Sequence, residues 1–378
     1  MEFITKQSAL LRELSLTQGV VEKKNTIPVL ANVLLSATAD SVAVMATDLE
    51  VSVTSSLTAN VIREGGLTVS ARKLHEIVKS LPDSDIHFKA DDENWATITC
   101  ERTHFRIMGL SKDNFPTLPS RGKGSRVTFG VRQFREMVQK VIFAVTTEDA
   151  RFALNGALMV VGKGSITLVA SDGHRLAYVS EPLNVEAEGA EEIRVVIPQK
   201  ALGELSRIGE EVGGEIVFSR EENQMFFEMG RCLLSSRLLE GQFPSYEKVI
   251  PKGNDKVVEV GRMPFSEALH RVSLLANERN RAVKMTLVSG KLEVSAKNPE
   301  MGEARESLAV EYKGPDVEIG FNAKYFLDFL AACGSESVMM ELKDEASQVL
   351  LKPKMAKTGK DKKEHLGDYQ YVVMPMRV

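Results

Sequence analysis

Hydrophobic side chains recur every three to four residues in three parts of the chain. The clearest case lies between residues 131 and 142, where one face of a helix would hold Val131, Phe134, Val138, Val141 and Ile142. The charged and amide side chains between them would lie on the opposite face. The same spacing relates Leu10, Leu14 and Val21, and it returns in Phe265, Ala268, Leu269, Val272 and Leu275. A period near 3.6 residues predicts an amphipathic helix at each place.

Sequence that favours β-strands follows each of these helices. The first strand is predicted at Ile27–Leu35, Phe152–Val161 and Val283–Val288. A second strand then ends in a similar tripeptide in every copy: Ala46-Thr47-Asp48, Ala170-Ser171-Asp172 and Ala296-Lys297-Asn298. Asp48 and Asp172 are 124 residues apart, and Asn298 follows Asp172 by 126. Such regular self-similarity indicates a repeat architecture.

A further strand leads directly into a second helix in each copy. The three segments are Leu67–Leu74, Val195–Leu202 and Ile319–Phe326, and their lysines, Lys73, Lys200 and Lys324, are 127 and 124 residues apart. Two copies close on the same dipeptide, since Phe115-Pro116 and Phe243-Pro244 are 128 residues apart. The pattern predicts an α+β protein made of three tandem, structurally similar domains, each with two helices on an antiparallel sheet.

Composition and turn residues place the domain boundaries. We predict an N-terminal domain at residues 1–120, a central domain at 128–246 and a C-terminal domain at 250–378. The segment 120–125 is polar and glycine-rich, as expected of a linker. The lysine-rich segment 353–368 has no periodicity, and it is interpreted as a mobile hairpin loop rather than a functional basic patch.

The overall composition narrows the class of protein. Hydrophobic residues make up 43% and charged residues 26% of the 378 positions, as in ordinary soluble globular proteins of two or three domains. We expect neither a secretory signal nor a membrane span, because no suitable apolar run is present. Cys100, Cys232 and Cys333 are far apart and odd in number, so we expect buried reduced thiols. Because the net charge is −4, DNA binding would require positive charge collected on one face.

Motifs typical of enzymes fail on their spacing. The glycines between Gly156 and Gly164 resemble a phosphate-binding loop, but a hairpin turn explains them better because no Ser or Thr follows the lysine. His75-Glu76 lacks the second histidine of a zinc protease, since Lys79 stands at that position. The string Ser171-Asp172-Gly173-His174-Arg175 is too compact for a catalytic triad, and Asp172-Gly173 favours a turn. Neither a catalytic activity nor a cofactor or metal is therefore expected.

Cations recur on the polar side of the second helix in each copy. Arg72 and Lys79 are two helical turns apart, as are Lys200 and Arg207, whereas the third copy retains only Lys324. The opposite side is apolar: Leu74, Ile77, Val78 and Leu81 in the first copy, and Leu202, Leu205 and Ile208 in the second. A solvated helix face explains any one of these helices. Recurrence at equivalent positions favours a shared basic surface that contacts phosphates without reading bases.

Several strings together resemble a known family. They are Leu154-Asn155-Gly156, Ala170-Ser171-Asp172-Gly173-His174-Arg175-Leu176, Phe243-Pro244-Ser245-Tyr246, Asn298-Pro299-Glu300 and Tyr371-Val372-Val373-Met374-Pro375-Met376-Arg377. With the threefold repeat they resemble the bacterial β sliding clamps, the β subunits of DNA polymerase III, over the entire chain. The resemblance implies a non-catalytic processivity factor.

The resemblance also implies an assembly and a cellular place. Two chains would join head to tail into a homodimeric, pseudo-six-fold ring around double-stranded DNA, without sequence preference. Phe105 and Ile107 on an edge strand of one subunit would meet Leu274 and Leu275 of the other. The protein would lie in the bacterial cytoplasm, associated with the nucleoid and not with a membrane.

By the same resemblance, two further surfaces have assigned residues. Those facing DNA in the pore are Lys24, Arg72, Lys73, Lys79, Lys200 and Arg207. A cleft between the central and C-terminal domains would bind short peptides of the replicative polymerase, the clamp loader, other polymerases and repair proteins. It would be lined by Leu154, Ser171, Gly173, His174, Arg175, Leu176, Pro244, Lys248, Val249, Asn322, Tyr325, Val372, Val373, Met374, Pro375, Met376 and Arg377. His174 and Arg175 would orient the peptide by hydrogen bonds.

Two positions depart from the family pattern. Glu148 stands where a neutral residue often contacts DNA, and Asn280 stands where relatives carry an aromatic residue at the cleft edge. Two other hypotheses stay open at this point. One is a nucleic-acid-processing enzyme, which needs a cluster of acidic metal ligands, and the other is a repeat scaffold without a role on DNA.

Overall fold

The computed structural model of the chain describes residues 1–21, 27–122, 124, 126–146, 148, 153–162, 164–183, 192–354 and 367–377. Within this part it contains six α-helices. They are α1 (Gln7–Thr17), α2 (Ala71–Ser80), α3 (Val131–Val141), α4 (Gln199–Val212), α5 (Arg262–Ser273) and α6 (Ala323–Ala332).

Strands surround each pair of helices. The first third contains β1 (Glu2–Lys6), β2 (Asn32–Thr38), β3 (Ser41–Thr47), β4 (Val51–Thr58), β5 (Asn60–Arg63), β6 (Gly65–Ser70), β7 (Asp85–Ala90), β8 (Trp95–Cys100) and β9 (Thr103–Ser111). The second contains β10 (Arg126–Gly130), β11 (Gly156–Gly162), β12 (Ser165–Ser171), β13 (Arg175–Pro182), β14 (Ile193–Pro198), β15 (Glu215–Glu221), β16 (Gln224–Met229) and β17 (Cys232–Arg237). The last contains β18 (Lys256–Gly261), β19 (Ala282–Val288), β20 (Lys291–Asn298), β21 (Gly302–Ala309), β22 (Val317–Asn322), β23 (Ser337–Leu342), β24 (Val349–Pro353) and β25 (Asp368–Val373).

The element order confirms the predicted α+β repeat, with two helices in each of three tandem domains. A strand runs directly into α2, α4 and α6, as the sequence predicted. Ser70 and Asn322 end their strands and begin α2 and α6, because each side chain accepts a hydrogen bond from a backbone N–H of the first helical turn. The predicted apolar sides of α2 and α4 are buried, including Leu74 and Leu205.

The strands form three antiparallel sheets that do not follow the thirds of the chain. One sheet has the order β10-β15-β16-β17-β4-β3-β2-β6-β9-β8-β7-β1-β5, the second β14-β11-β12-β13-β25-β24-β23-β18, and the third β21-β20-β19-β22. The last strand of the second third, β17, therefore pairs with β4 of the first third. In the same way β25, which ends the last third, pairs with β13 of the second.

The described residues fall into two compact units. The limits of these units differ from the predicted domain boundaries. The first unit comprises residues 1–135 and 200–238, and the second comprises residues 136–199 and 239–378. Sheet pairing explains this division, because strands of the central third are shared between the two large sheets. The boundaries at 120–128 and 246–250 stay a prediction.

Some predicted element bounds were wrong. Residues 28–31 form a 3₁₀ turn, and β2 begins only at Asn32. Pro28 fixes its own φ and has no N–H to donate, which suits the first turn of a helix better than a strand. The strand predicted from Phe152, which lies outside the described residues, begins at Gly156. Helices α1 and α5 end before Val21 and Leu275.

Other expectations are confirmed. Gly162 and Ser165 pair across a hairpin between β11 and β12, which replaces the apparent phosphate loop. Cys100, Cys232 and Cys333 are free and buried. Most of the lysine-rich segment 353–368 lies outside the described residues, so its predicted mobility is not addressed.

Candidate functional site

The turn between β12 and β13 is built by two short polar side chains. Oγ of Ser171 donates to the carbonyl of Arg175 at 2.7 Å and accepts from the N–H of Gly173 at 3.1 Å. Oδ1 of Asp172 accepts from the N–H groups of His174 and Arg175 at 2.9 and 3.1 Å. Gly173 has a φ of +88°, which a residue without a Cβ adopts at little cost. Gly173 and His174 are left exposed at the tip of the turn.

Arg175 faces inward from this turn, and only 8% of it is exposed. Its Nε donates to Asp172 Oδ2 at 2.9 Å, its Nη1 to Asp328 Oδ2 at 2.7 Å, and its Nη2 to the carbonyl of Phe143 at 2.5 Å. The guanidinium also lies 4.5 Å from the centre of the Tyr325 ring. Arg175 thus joins three segments of the second unit: its own turn, α6 and the segment of Phe143. Direct hydrogen bonding of His174 and Arg175 to a peptide stays a prediction.

Burial and the neighbouring groups shift the pKa of Arg175 in opposite directions. Burial lowers the pKa of Arg175, but Tyr371, Asp328 and Asp172 outweigh it and hold the pKa above its usual value. Burial also raises the pKa of Tyr371, so its hydroxyl stays protonated and donates to the carbonyl of Tyr325 at 3.0 Å. At neutral pH the guanidinium of Arg175 is therefore charged and the hydroxyl of Tyr371 is neutral.

An apolar floor lies beside the turn. Leu176 and Val372 are fully buried, and Val249 packs against the same cluster. The cluster unites the predicted cleft residues with others that the sequence analysis missed, namely Leu158, Val160, Val169, Val196, Tyr246 and Leu350. Pro244 and Lys248 are exposed on the segment that contributes Tyr246, and Leu154 is half-buried just before β11. Of the predicted cleft residues in this cluster, Leu176 and Val372 belong to the buried core and Val249 is half-buried.

The C-terminal segment forms one wall. The N–H of Met374 donates to the carbonyl of His174, and the N–H of Met376 donates to the carbonyl of Gly320, each at 2.9 Å. The backbone is thereby held at both ends, as an extension of the β13–β25 ladder in which Val373 pairs with Arg175. Met374, Pro375 and Met376 are half-buried and Arg377 is exposed, so this segment is not simply core packing. Flexible methionines at a surface suit varied partners.

Asn322 and Tyr325 lie at the start of α6. Oδ1 of Asn322 accepts from the N–H of Lys324 at 2.9 Å, so its acceptor is already used as a helix cap. Tyr325 is half-buried under Arg175, and burial raises its pKa. Asn280 is exposed, and its side chain accepts from the N–H of Ala282 at 3.2 Å. Asn322 therefore caps α6, and the Tyr325 ring supports the guanidinium of Arg175.

The predicted DNA-facing cations fall into two groups in the first unit. Arg72, Lys73 and Lys79 are exposed on α2, and the first two pair with Glu76 at 2.9 and 2.8 Å. Hydrogen bonds from Lys73 and Arg72 lower the pKa of Glu76, so it is negatively charged at neutral pH. The exposed face therefore has less positive charge than the sequence suggested. Lys24 lies outside the described residues.

Lys200 and Arg207 on α4 make polar contacts within the first unit. Nη1 and Nη2 of Arg207 donate to the carbonyls of Ser15 and Leu16 at 2.9 and 2.6 Å, at the end of α1 where carbonyls lack helical partners. Its other partner is Glu204, which lies so close to Gly19 that an added Cβ would overlap its carboxylate. Lys200 pairs with the buried Asp48. These two cations join the first repeat to the second more than they face solvent.

The residues assigned to the dimer interface lie on exposed edges. Phe105 and Ile107 are half-buried on β9, whose residues Thr103–Met108 pair only with β8 among the described strands. Leu274, just after α5, is 66% exposed, an unusual value for leucine, and Leu275 is half-buried. Exposed apolar side chains beside an unpaired strand edge are typical of an interface.

The described residues contain neither a group of three or more potential metal ligands nor a helix long and apolar enough to cross a membrane. The second unit instead presents an apolar floor, a polar turn and a half-exposed apolar wall, an arrangement suited to an extended peptide. Fold and site together define a repeat protein that binds other proteins through short segments.

Comparison with known proteins identifies the family. Models of the DNA polymerase III beta subunit match the chain in its N-terminal domain at residues 1–119, its central domain at 128–245 and its C-terminal domain at 247–377. The beta sliding clamps of Pseudomonas putida and Caulobacter vibrioides are 37% and 33% identical, over the full length of both chains in each case. The chain belongs to the DNA polymerase III beta subunit family. It is a non-catalytic processivity clamp, a homodimeric ring on DNA that tethers polymerase.

Solved structures agree with this assignment. The sliding clamp of Pseudomonas aeruginosa is 36% identical and matches with a TM-score of 0.91 over 100% of both chains. The same clamp has been solved bound to griselimycin, with the same identity and TM-score. The clamp of Caulobacter crescentus is 32% identical, also with a TM-score of 0.91 over both full chains.

Proposed function

We propose that the peptides of polymerase, clamp loader and repair proteins bind across the apolar floor and the C-terminal wall of the second unit. The observation that supports this most is the wall itself, a half-exposed Met374-Pro375-Met376 segment held by two backbone hydrogen bonds beside buried Leu176 and Val372. Apolar side chains of the peptide would enter the floor, while His174 and Asn322 offer polar contacts at the rim.

Removal of Met374–Val378 tests this cleft. We expect the truncated chain to lose binding of a fluorescein-labelled polymerase peptide and of intact polymerase, while sedimentation still gives a dimer. Lys291→Ala, an exposed change on β20 of the same unit and outside the predicted cleft, is a control that should retain the full affinity. Polymerase binding that survives the truncation would mean that the cleft is misplaced.

Griselimycin offers an independent probe of the same site. The compound is bound in the structure of the relative from Pseudomonas aeruginosa. We expect griselimycin to bind this chain and to displace the labelled peptide in proportion to the amount of compound bound. Binding of both ligands at once would contradict a shared cleft.

For the ring, we propose a seam that repeats the two strand pairings within the chain. In the first two thirds, the strand after the Asp48 or Asp172 turn pairs with the last strand of the following third, β4 with β17 and β13 with β25. The strand after Asn298 is β21, which pairs only with β20 among the described strands. The last strand of the first third is β9, with its free edge at Thr103–Met108. Pairing of β21 with β9 of a second copy continues the pattern head to tail, and Phe105, Ile107, Leu274 and Leu275 would pack there.

The inner surface would contact DNA weakly. Arg72, Lys73 and Lys79 are its exposed cations on α2 among the described residues, and Glu76 offsets part of their charge. Contacts to phosphates have no sequence preference and permit sliding. A closed ring stays on DNA by topology, so strong contacts are unnecessary. We place the protein in the bacterial cytoplasm, associated with the nucleoid.

Retention on circular DNA tests the ring. Clamps loaded on a circular plasmid should stay bound through gel filtration and leave when a nuclease linearises the DNA. Equal retention on both forms would contradict topological linkage and favour direct binding.

A further inference from the structure

The turn between β3 and β4 contains the same side-chain hydrogen bonds as the turn between β12 and β13 in the proposed cleft. Thr47 Oγ1 donates to the carbonyl of Val51 at 3.2 Å and accepts from the N–H of Leu49 at 3.0 Å. Oδ1 of Asp48 accepts from the N–H groups of Glu50 and Val51 at 2.9 and 2.7 Å. Ser171 and Asp172 make the same four contacts in the cleft. The two turns are therefore structural copies.

The strand that forms the wall of the cleft also has a copy. The N–H of Arg237 donates to the carbonyl of Glu50 at 3.0 Å, as Met374 donates to His174 at 2.9 Å. Arg237 ends β17, which pairs with β4, just as Met374 follows β25, which pairs with β13. The first unit thus has a turn and an adjoining chain end in the same relation as the second.

An apolar floor is present beside this turn as well. Val29, Leu30 and Phe115 are buried in one small cluster, with Leu34, Met45 and Leu118 packed against it. Leu30 precedes its strand as Leu154 precedes β11, and Phe115 matches Phe243 in the repeat. Between floor and turn lies a cavity of about 390 Å³ whose lining includes Leu49, Pro116, Leu118, Gln224 and Arg237. A pocket of this size admits one or two side chains of a peptide.

One difference makes this surface conspicuous. Leu49 stands at the place of Gly173, with a φ of +79° against +88°. Leucine in the left-handed region costs roughly 1–3 kcal/mol, and such strain persists mainly where function requires it. Burial of the side chain does not offset this cost, because 43% of Leu49 is exposed at the edge of the cavity. A strained, exposed leucine at the mouth of a cavity indicates a contact that is made in a complex.

We propose that this surface, the first-unit groove lined by Leu49, Pro116, Leu118, Gln224 and Arg237, is a second binding site for extended peptides with apolar side chains. The occupant is of the same class as that of the cleft, because turn, floor and adjoining chain end are of the same construction. Leu49 contacts the peptide's apolar side chain, and Glu50 and Arg237, both exposed, contact its flanking charges. The inference rests on the proposed cleft, whose occupant defines the chemistry.

Peptide stoichiometry tests the second site. The probe is a fluorescein-labelled ten-residue peptide copied from the clamp-binding segment of the cognate polymerase, titrated by calorimetry and anisotropy. The full chain should bind two peptides. The affinity of one site should be lower by about tenfold or more, which corresponds to a difference of about 1.4 kcal/mol in binding free energy. Removal of Met374–Val378 should leave only the weaker site. Leu49→Asn should leave only the stronger site, and the two changes together should abolish binding at both.

The Leu49→Asn variant removes the proposed peptide contact without destabilising the fold. Asparagine tolerates a positive φ better than leucine does, so the melting temperature should not fall. Ile62→Asn is the control, because Ile62 is likewise an exposed apolar residue, 55% accessible, and it lies on β5 outside the lining of the groove. Its stoichiometry should match the wild type.

The outcomes separate the two sites. If the truncated chain binds no peptide, the first-unit groove is ruled out and the cleft stands. If the truncation leaves binding unchanged while Leu49→Asn abolishes it, the cleft fails and the groove is the principal site. Binding that survives both changes would rule out both assignments.

Discussion

Nη1 of Arg175 donates to Oδ2 of Asp328 across 2.7 Å, which ties a turn of the central third to helix α6 of the last third. The same arginine reaches Asp172 and the carbonyl of Phe143. A cleft whose floor and wall come from distant parts of the sequence depends on such a contact for its shape. Arg175 therefore holds the shape of the proposed peptide cleft through contacts within the second unit.

Replacement of this arginine should affect stability and binding together. Arg175→Met would leave Asp172 and Asp328 without their buried partner, and losses of about 3–5 kcal/mol are typical of such changes. Lys324 also pairs with Asp328, at 2.7 Å, so we expect the lower end of this range. Urea unfolding and peptide titration measure the two effects. Arg194→Met, which breaks an exposed pair with Glu192, should cost about 1 kcal/mol or less. Equal losses in both variants would contradict the role given to Arg175.

The dimer should separate when charge is placed at the proposed seam. Ile107→Asp or Leu274→Asp would bury an unpaired carboxylate, at a cost of about 3 kcal/mol or more, which corresponds to about a hundredfold weaker dimer. Analytical ultracentrifugation at micromolar concentration should then show monomers with unchanged secondary structure. Ile62→Asp is the control and should stay dimeric. A dimer that tolerates both seam variants would place the interface elsewhere.

The two groups of cations should respond differently to mutation. Charge reversal at Arg72 and Lys73 should shorten the residence of the loaded clamp on DNA and leave the melting temperature unchanged, because both side chains are exposed, Arg72 by 78%. The salt dependence of binding should also become shallower, by about 0.9 in slope for each phosphate that is no longer neutralised. Unchanged residence, loading and DNA synthesis would mean that Arg72 and Lys73 do not face DNA.

Arg207→Ala should instead lower the stability of the fold. The carbonyl of Leu16 would lose this donor, and an unsatisfied polar group costs about 1–3 kcal/mol, whereas the carbonyl of Ser15 still accepts from the N–H of Gln18. Differential scanning calorimetry measures the loss. If stability is unchanged while DNA binding falls, Arg207 contacts DNA rather than the end of α1.

The negative charge on α2 should weaken DNA binding in the wild type. Glu76→Gln would leave Arg72 and Lys73 unpaired and so increase the positive charge that faces phosphates. We expect longer residence on circular DNA at low salt, and no difference at high salt, where screening removes the effect. A shorter residence would mean that Glu76 positions the two cations usefully.

Cys232 should make stability depend on alkaline pH. Burial raises its pKa from 9.0 to about 12, so above pH 9 only the unfolded chain releases this proton readily. Its contribution to the free energy of unfolding is therefore complete below pH 9 and is lost as pH rises toward 12. Urea unfolding at pH 8, 9 and 10 should show a steeper fall for the wild type than for Cys232→Ala. Parallel curves would contradict the burial of this thiol.

The fold was predictable where a local pattern decides it. The periodicity of residues 131–142 predicted α3 because an apolar stripe has only one stable orientation on a sheet. The strand predicted from Ile27 begins only at Asn32, because Pro28 imposes a 3₁₀ turn on the residues before it. The joining of β17 to β4 had no local signal, since strand pairing over such distances depends on the folded chain.

The candidate site was predictable in its turn and wall but not in its support. The string Ser171–Leu176 and the Met374-Pro375-Met376 segment stand out in the sequence. Nothing local indicated that Arg175 would be buried, or that Asp328 and Tyr371 would receive it, because these contacts span more than 150 residues. Lys324 and Asp328 also pair at i,i+4 on α6, a spacing that by itself is typical of a solvated helix face.

The proposed seam joins two unlike strand edges, β9 and β21, each unpaired with any other described strand, and this has a consequence for how a ring would open. A head-to-tail pair of chains has two equivalent joints, and neither shares a residue with the other. One joint can therefore come apart for DNA to enter while its twin keeps the two chains together as a hinge. A chain damaged only at β21 could still join a healthy partner once, which would give a permanently open ring that occupies its partner without staying on DNA.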